Sequence, residues 1–383
     1  MKKGWEYKKL GEVIEHLRTG LNPRTHFKLN TPDAEGYYVT VRELKGFSIE
    51  PDEKTDKVNR AAIKRINERS NLKIGDVLFS GTGTIGKTAL VSELPENWNI
   101  KEGVYAMTPK HSELDSKYFI YYIGSDLFLR LVNDKAAGTG VRSIPMKELV
   151  KLPITIPPLS EQQSIVDYLD SAFAKIDAMK ANAEKALNEA KALFQASLKE
   201  MLEPKEGWEY KKLGEVCEIL DSRRKPITKN KRESGTIPYY GATGILDYVK
   251  DYIFDEKLVL LGEDGAKWGA GENSAYIIEG KSWVNNHAHA LRPKRDLLVD
   301  EILVYYLNFS NLLPYITGVT VPKLNQEKMR SIEIPIGPVK EQQSIVATLD
   351  TLKSKVDRLQ ENYDKISQEC EALKQAILRD IFE

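Results

Sequence analysis

The chain has few of the features that mark secreted, membrane-bound or strongly charged proteins. Its 383 residues include only two cysteines, Cys217 and Cys370. This excludes a disulfide framework and favours a reduced, cytoplasmic compartment. The 56 Lys and Arg residues balance 56 Asp and Glu residues, so bulk charge cannot hold the protein to a nucleic acid or a membrane. Residues 1–6 have no apolar core and predict no signal peptide.

Long apolar runs are also scarce. Residues 302–322 carry no charge and are long enough to span a bilayer. They contain Pro314 and several polar residues, and the matching segment in the first half of the chain carries Asp126 and Arg130. The run therefore predicts an amphipathic helix over about 300–312 that is broken near Pro314, rather than a membrane span.

An internal repeat organises the sequence. The block GWEYKKLGEV occurs at 4–13 and again at 207–216, and EQQSIV occurs at 161–166 and again at 341–346. The first pair is offset by 203 residues and the second by 180, so the second copy is 23 residues shorter between its anchors. A duplication this complete predicts pseudo-two-fold symmetry, and symmetric proteins tend to bind symmetric or bipartite ligands.

The segment after each EQQSIV block predicts a long helix with a coiled-coil stripe. In the second segment, apolar residues recur at alternating spacings of three and four: Leu349, Leu352, Val356, Leu359, Tyr363, Ile366, Cys370, Leu373 and Ile377. In the first, the corresponding positions are Leu169, Ala172, Ile176, Met179, Ala183, Ala186, Ala190, Leu193 and Ser197. Additional apolar residues widen that stripe beyond a two-helix seam: Phe173, Leu187, Phe194 and Leu198.

The linker after the first helix determines the direction of the second. Only Pro204, Lys205 and Glu206 separate the first helix from the next globular part, so the second helix must run back along the first, antiparallel to it. Short β-rich runs bounded by Gly and Pro, with one short helix near the end of each globular part (about 115–131 and 300–312), predict strand-dominated domains. The expected fold is α+β, with two strand-rich domains joined by two long antiparallel coiled-coil helices: domain 1 at 1–158, helix 159–203, domain 2 at 204–338, and helix 339–383.

One motif matches a nucleotide-binding pattern. Residues 81–88, GTGTIGKT, fit the phosphate-loop pattern GxxxxGK[ST] after a plausible strand. That loop requires a following helix, whose amide groups and dipole hold the phosphates. The segment that follows is too short for such a helix, and the second copy lacks the pattern. We therefore interpret residues 81–88 as a glycine-rich turn between strands.

Three other motifs are weaker. Residues 79–83 resemble an S-adenosylmethionine motif, but the catalytic loop of an amino-methyltransferase has no counterpart in the chain. Residues 51–54 resemble nuclease carboxylates and are interpreted as a solvated loop. His287 and His289 lie on one face of a predicted strand, but a metal site needs further ligands that neither cysteine supplies. Packing or a polar contact to a base is the favoured interpretation for these histidines.

Basic residues concentrate in the globular parts. Residues 1–158 hold 25 Lys and Arg against 20 Asp and Glu, whereas both predicted long helices hold more acids than bases. One basic cluster follows each GWEYKKLGEV block at a similar distance, at 18–28 and 223–232. A charge run alone is typical of a solvated loop. Two copies at equivalent places, with polar residues between the charges, favour nucleic-acid contact, in which Arg and Lys bind phosphates and guanine and Asn binds adenine.

This ordered, duplicated set of motifs resembles the specificity (S) subunit of type I restriction–modification systems over the whole chain. The resemblance rests on the two GWEYKKLGEV blocks, on Gly75–Leu78 with Gly83–Lys87, on residues 238–244 (PYYGATG), and on the junctions 154–166 and 334–346. The second copy departs from the first in having Lys340 where the first has the helix-capping Ser160, and in its shorter domain. These differences predict two unlike half-sites.

The resemblance implies that each globular domain is a target recognition domain that reads one half of a split site in double-stranded DNA. It implies that the helices set the gap between half-sites and dock two methyltransferase (M) subunits, and that restriction and translocase (R) subunits join for cleavage. It further implies a cytoplasmic, non-catalytic subunit without a cofactor or metal of its own. Two alternatives stay open: an NTPase that uses residues 81–88, and a coiled-coil scaffold that binds no DNA.

The expected DNA contacts lie between the repeated blocks. They are Arg18, Asn22, Arg24, Lys28, Lys87 and Arg142 in the first copy, and Arg223, Arg224, Lys225, Lys229, Tyr240, Lys267, His287 and Lys323 in the second.

Overall fold

The computed structural model describes residues 4–94, 96–138, 140–318 and 320–383, without the side chain of Thr25. The chain divides into two compact units. Unit 1 comprises residues 1–182 and 365–383, and unit 2 comprises residues 183–364. Each unit therefore contains one strand-rich domain and part of each of two long helices. No helix in the described part of the chain combines the length and apolarity needed to cross a membrane.

The domain of unit 1 contains eleven short strands within the described residues: β1 (Glu6–Lys9), β2 (Ile14–Thr19), β3 (Gly36–Val39), β4 (Leu44–Lys45), β5 (Ser48–Ile49), β6 (Lys57–Val58), β7 (Val77–Ser80), β8 (Thr88–Leu90), β9 (Trp98–Ile100), β10 (Val104–Pro109) and β11 (Pro153–Ile156). Its helices are α1 (Leu10–Val13), α2 (Pro23–His26), α3 (Arg60–Ser70), α4 (Ser116–Ile123), α5 (Asp126–Lys135) and α6 (Met146–Leu149).

A four-stranded antiparallel sheet forms the centre of this domain, in the order β2-β10-β7-β8. All residues of β7 and β10 are buried, which explains their nearly continuous apolar sequences. A second sheet, β6-β3-β9, pairs β3 and β9 in parallel. Strands β1 and β11 form a two-stranded ribbon that brings the GWEYKKLGEV block beside the end of the domain.

The domain of unit 2 repeats this plan with fewer residues. Its strands are β12 (Glu209–Lys212), β13 (Cys217–Ile219), β14 (Ser234–Gly241), β15 (Gly244–Val249), β16 (Phe254–Asp255), β17 (Leu258–Gly262), β18 (Ala275–Ile278), β19 (Lys281–Val284), β20 (Ala288–Pro293) and β21 (Glu333–Ile336). Its helices are α8 (Leu213–Val216), α9 (Asp300–Phe309) and α10 (Gln326–Arg330).

The sheet β13-β20-β17-β18 corresponds strand for strand to the central sheet of unit 1. The sheet β15-β14-β19-β16 corresponds to the second sheet, and its strands β14 and β19 pair in parallel as β3 and β9 do. In both copies the parallel pair aligns a tyrosine with a tryptophan, Tyr37 with Trp98 and Tyr239 with Trp283. The internal repeat of the sequence is therefore a repeat of the fold.

The two long helices are α7 (Leu159–Leu202) and α11 (Val339–Phe382). The expected α+β fold with long antiparallel helices is confirmed. In unit 1, Asp177 accepts a hydrogen bond from Lys374 at 2.6 Å, and Lys180 forms an ion pair with Glu371. Residue numbers rise along one helix and fall along the other, so the helices run antiparallel within the unit.

The contact face of α7 includes Leu169 and Ile176 of the predicted stripe, which are buried, but not every residue of that stripe. Met179 and Leu193 are 61% and 58% exposed, whereas Phe173 and Leu187 are buried. Phe173 stacks against the ring of Phe47 in the domain, with ring centroids 6.2 Å apart. A heptad pattern describes only the pairing of two helices. Helix α7 also packs against its own domain, and this second contact buries Phe173, which lies beside the heptad positions.

A buried glutamine in each EQQSIV block joins the domain to the long helix. The side-chain amide of Gln162 donates to the carbonyl oxygens of Glu113 and Pro157, at 2.7 and 2.8 Å, and its oxygen accepts from the N–H of Asp115 at 2.8 Å. Gln342 makes the same three contacts in unit 2, with Leu297, Gly337 and Val299.

The short helices differ from prediction in unit 1. The single helix expected over about 115–131 is two helices, α4 and α5, because Ser125 accepts from the N–H of Phe128 and begins a new helix after Gly124. Helix α3 was not predicted. Its ends are fixed by Asn59, whose side chain accepts from the N–H of Ala62, and by Asn71 in the left-handed conformation.

Candidate nucleic-acid interface

Residues 81–88 form a turn between two antiparallel strands. Strand β7 ends at Ser80, and the residues after Lys87 continue directly into strand β8. The hydroxyl of Ser80 donates to the carbonyl of Thr84 and accepts from the N–H of Lys87. The turn therefore lacks the helix that a phosphate loop requires, and the interpretation as a strand-to-strand turn is confirmed.

Four loops of unit 1 lie side by side at the end of the central sheet. We call residues 19–24, 81–87, 101–103 and 140–143 the unit 1 loop surface. The N–H of Gly81 donates to Gly103 at 2.8 Å, and the N–H of Gly83 donates to Arg142 at 2.9 Å. Leu21 and Lys101 form a parallel bridge. These backbone contacts bring together segments that are far apart in the sequence, such as Gly83 with Arg142 and Leu21 with Lys101.

This surface carries side-chain ammonium groups without ion-pair partners. Within the described residues, Lys87 and Lys101 form no ion pair, and both are exposed. Arg142 is exposed, and its guanidinium donates to the carbonyl oxygen of Asn133. Lys101, Val141 and Lys54 line one cavity of about 490 Å³. Lysines free of internal carboxylates suit phosphate binding.

The first basic cluster is split by the structure. Asn22 caps α2, and its side chain accepts from the N–H of Arg24 at 3.2 Å. Arg24 and Lys28 are exposed. Arg18, in contrast, is held inside the domain: its guanidinium donates to the buried carboxylate of Asp76 at 2.9 Å and to Thr108 at 2.5 Å. Arg18 is therefore placed for an internal role.

Unit 2 presents an equivalent group of loops. We call residues 221–225, 262–267, 285–288 and 320–324 the unit 2 loop surface. The N–H of Glu263 donates to His287 at 2.8 Å, and the N–H of Leu324 donates to Glu263 at 2.8 Å. Asp264 and Lys323 form an antiparallel bridge, as Thr82 and Ser143 do in unit 1. The two loop surfaces thus share one architecture.

A buried ionic cluster lies below the unit 2 loop surface. Arg224 donates to the carboxylate of Glu263 at 2.6 Å and pairs with Asp221 at 3.2 Å. Lys323 pairs with Glu263 at 2.6 Å. Burial alone would raise the pKa of Glu263, but Lys323 and Arg224 outweigh burial, and the pKa is lowered. Arg224 is mostly buried in this cluster and is, like Arg18, placed for an internal role.

The ligand atoms of Asp221, Glu263 and His289 lie within 4.8 Å of one another, a spacing that suits a metal ion. His289 is buried, and its ring nitrogens contact Asp221 at 2.6 Å and the carbonyl oxygen of Leu324 at 2.7 Å. Arg224 and Lys323 already neutralise the carboxylates. The arrangement therefore favours a polar joint between loops, not a metal centre.

The remaining predicted contacts of unit 2 lie in different surroundings. Lys225 and Lys229 are exposed. Lys267 is exposed and lies 3.9 Å from Glu272. His287 is half exposed and contacts Asp264. The guanidinium of Arg223 lies over the ring of Phe254 and near Glu256, and Tyr240 of β14 packs beside Tyr276 of β18, which belongs to the other sheet.

Sequence reasoning missed two lysines and two valines of this interface. Lys54 and Lys101 belong to no recognisable sequence motif. Only the folded chain brings them together beside Val141. Val141 and Val321 occupy equivalent positions of the repeat and are 66% and 67% exposed. The alignment of residues 138–143 (GTGVRS) with 318–323 (GVTVPK) puts a valine at the same position of both copies, and this was the signal that could have identified the valines.

Comparison with known proteins gives a consistent result. The family model described as "Type I restriction modification DNA specificity domain" matches the chain twice, at residues 2–189 and 205–368. A protein of Haemophilus influenzae assigned as a type I restriction enzyme specificity subunit is 40% identical over 144 residues, which are 38% of this chain and 37% of that protein. A Methanocaldococcus jannaschii protein assigned as the specificity subunit of the type I restriction enzyme MjaX is 23% identical, over 98% of this chain and 92% of its own.

Two solved structures have the same fold. One, from a study of complex assembly and conformational transition in the type I R-M system, is 20% identical with a TM-score of 0.72, covering 100% of this chain and 98% of its own. The other is the HsdS subunit from Thermoanaerobacter tengcongensis, also 20% identical, with a TM-score of 0.55, covering 100% of this chain and 97% of its own.

Proposed function

The chain belongs to the family of type I restriction–modification DNA specificity domains, and we propose that it is the subunit that selects the DNA target of such a complex. The observation that carries the proposal is that the family match and the loop surface both occur twice, once in each unit. Two readers in one chain suit a target made of two half-sites. The contacts within each loop surface differ, so the two half-sites should be different sequences.

The domain boundaries proposed from the sequence fit this role. Residues 1–158 and 204–338 would be the two target recognition domains, and the long helices would act as spacers that set the gap between half-sites. DNA presents equivalent groups on one face about every helical turn, so helices of fixed length select one spacing. Exposed lysines on the loop surfaces would neutralise phosphates, and the loops between them would reach base edges.

We further propose two M subunits and the R subunits as partners. The long helices expose large apolar side chains that a free subunit would leave in water, among them Tyr168, Met179, Leu193 and Leu373. A partner that covers these residues explains their exposure. The chain itself would contribute no catalytic residue or cofactor, and the complex would work in the cytoplasm, where its two buried free thiols remain reduced.

The test is to co-express the chain with the M subunit of its host and to sequence the methylated positions of the DNA. Wild-type chain should direct methylation to one bipartite, asymmetric site. Replacing residues 14–150 with the same part of a relative should change one half-site only. Methylation without a defined site in the wild type, or a change in both half-sites after the exchange, would contradict the proposal.

An insertion of equal length in both long helices distinguishes the recognition of bases from the setting of the gap between half-sites. Four residues, about one helical turn, inserted into both α7 and α11 should lengthen the gap and leave both half-sites unchanged. Altered bases at an unchanged gap would show that the helices do not set the spacing. The domain exchange is the control, because it changes bases while the helices stay the same.

A further inference from the structure

The two most exposed valines among the described residues occupy equivalent positions in the two loop surfaces. Val141 lies 20 residues before Glu161 of the first EQQSIV block, and Val321 lies 20 residues before Glu341 of the second. Their exposed fractions are 66% and 67%. Exposing an apolar side chain gives no benefit to an isolated domain. The two loop surfaces differ at most positions, but both have a valine in the same exposed place.

Each valine lies in a short loop whose ends are joined by backbone hydrogen bonds. In unit 1, Ala137 and Ser143 exchange two backbone hydrogen bonds of 2.9 Å, and in unit 2 Thr317 and Lys323 do the same at 2.9 and 2.8 Å. Gly138 adopts a positive φ, and a Cβ there would lie 2.4 Å from the carbonyl oxygen of Val141.

The surroundings of the valines identify the ligand chemistry. Val141 shares a cavity with Lys54 and Lys101 and is followed by Arg142. The same cavity is lined by Glu43, Asp56 and Glu102, but Glu43 pairs with Arg42 and Glu102 with Arg69, whereas the two lysines form no ion pair among the described residues. Val321 lies two residues before Lys323, which pairs with Glu263, and the exposed Lys225 and Lys267 belong to the same loop surface. Cationic groups around an apolar tip match the surface of a DNA groove, where phosphates flank the base edges. In the major groove the apolar group on those edges is the C5 methyl of thymine.

We propose that Val141 and Val321 each pack against a thymine methyl group, one in each half-site, and so help to determine specificity. This inference rests on the proposed function. The residues around the valines differ between the two units, so they would read the bases that distinguish the half-sites. The shared valines would read a feature that both half-sites contain, an A·T pair at a fixed place.

The test uses the full complex of this chain with its M subunit and duplexes in which single thymines of the target are replaced by deoxyuridine, which lacks only the methyl group. One replacement in each half-site should weaken binding about 4-fold, the value for one buried methyl group. Val141→Ala should bind the normal duplex about 4-fold more weakly and lose its sensitivity to deoxyuridine in one half-site only. Val321→Ala should lose it in the other.

Ile74→Ala is the matched control, because Ile74 is 58% exposed but lies before β7, at the end opposite the loop surface. It should leave binding and deoxyuridine sensitivity unchanged. Wild-type binding that ignores every deoxyuridine, a half-site without an A·T pair, or valine variants that keep full sensitivity would each overturn the inference. A valine variant that fails to assemble with the M subunit would instead assign the tip to a protein contact and also overturn it. Absence of any site-specific binding by the wild type would contradict the proposed function itself.

Discussion

Replacing Gln162 by leucine should destabilise the joint between α7 and the domain of unit 1 by about 3 kcal/mol. The side chain is fully buried and satisfies three backbone groups, those of Glu113, Asp115 and Pro157. Leucine has a similar size but forms no hydrogen bond, so all three groups lose a partner where water has no access. At roughly 1 kcal/mol for each hydrogen bond, the loss is about 3 kcal/mol.

Hydrogen exchange of the full chain, read by mass spectrometry over the peptide that contains Asp115 and α4, measures this loss locally. A local assay is needed because a chain of two units does not have to unfold in one step. A loss of about 3 kcal/mol should accelerate exchange of the amides protected by the joint roughly 150-fold. Gln342→Leu should have the same effect on α9, since Gln342 makes the equivalent contacts in unit 2.

The adjacent glutamine provides the control. Gln163 is exposed and donates to Asp167 one turn further along the helix, at 2.8 Å. Gln163→Leu should change stability by less than about 0.5 kcal/mol. If the amides of Asp115 and α4 exchanged at the same rate in Gln162→Leu and in Gln163→Leu, the buried glutamine would not hold the domain on its helix, and the reasoning would be refuted.

Three further predictions concern charged residues. Arg18→Ala should destabilise unit 1 by about 3–5 kcal/mol, because the buried carboxylate of Asp76 loses its partner, whereas Arg24→Ala should leave the unfolding curve unchanged and weaken DNA binding. Lys87→Ala should reduce the salt dependence of DNA binding by about one counterion and leave ATP hydrolysis by the assembled complex intact; loss of ATPase at unchanged DNA affinity would contradict this. The pKa of Glu263 is lower in the folded protein than the value of about 4.3 expected in the unfolded chain. The charged carboxylate therefore stabilises the fold above a pH of about 4.3, and this stabilisation is lost as the pH falls through the folded pKa. In urea unfolding at several pH values, Glu263→Gln should be less stable than the wild type at pH 7 and should not show that loss in acid.

The sequence predicted those parts of the fold that depend on local pattern or repetition. The long helices follow from spacings of three and four, and their antiparallel direction follows from a linker of three residues. Helix α3 escaped prediction because its sequence is mostly polar and its buried residues include only Ala62 and Ile66 as apolar side chains. Its limits are set by two asparagines, which are equally common in loops.

The interface was less predictable because its residues are brought together over long distances. Arg18 and Arg24 look equivalent in the sequence, and both belong to one basic cluster. The carboxylate that holds Arg18 is 58 residues away, in Asp76. Arg224 is likewise engaged by Glu263, 39 residues further along the chain. A charge cluster shows which residue types are present, but the fold decides which of them are consumed by internal partners.

The identity of the repeated blocks has a physical explanation in the joint they form. Within unit 1 the indole N–H of Trp5 donates to Glu161 at 2.8 Å, and within unit 2 Trp208 donates to Glu341 at 3.1 Å. Each bond connects a GWEYKKLGEV block to an EQQSIV block. The two motifs that define the repeat are therefore opposite sides of one joint, which holds each domain on its helix. A change on one side has to be matched on the other, which resists divergence, whereas exposed side chains of the loop surfaces, such as Lys87 and Lys101, carry no such mutual constraint. A chain built in this way can acquire new target sequences by changing its loops while the placement of each reader on its helix stays the same.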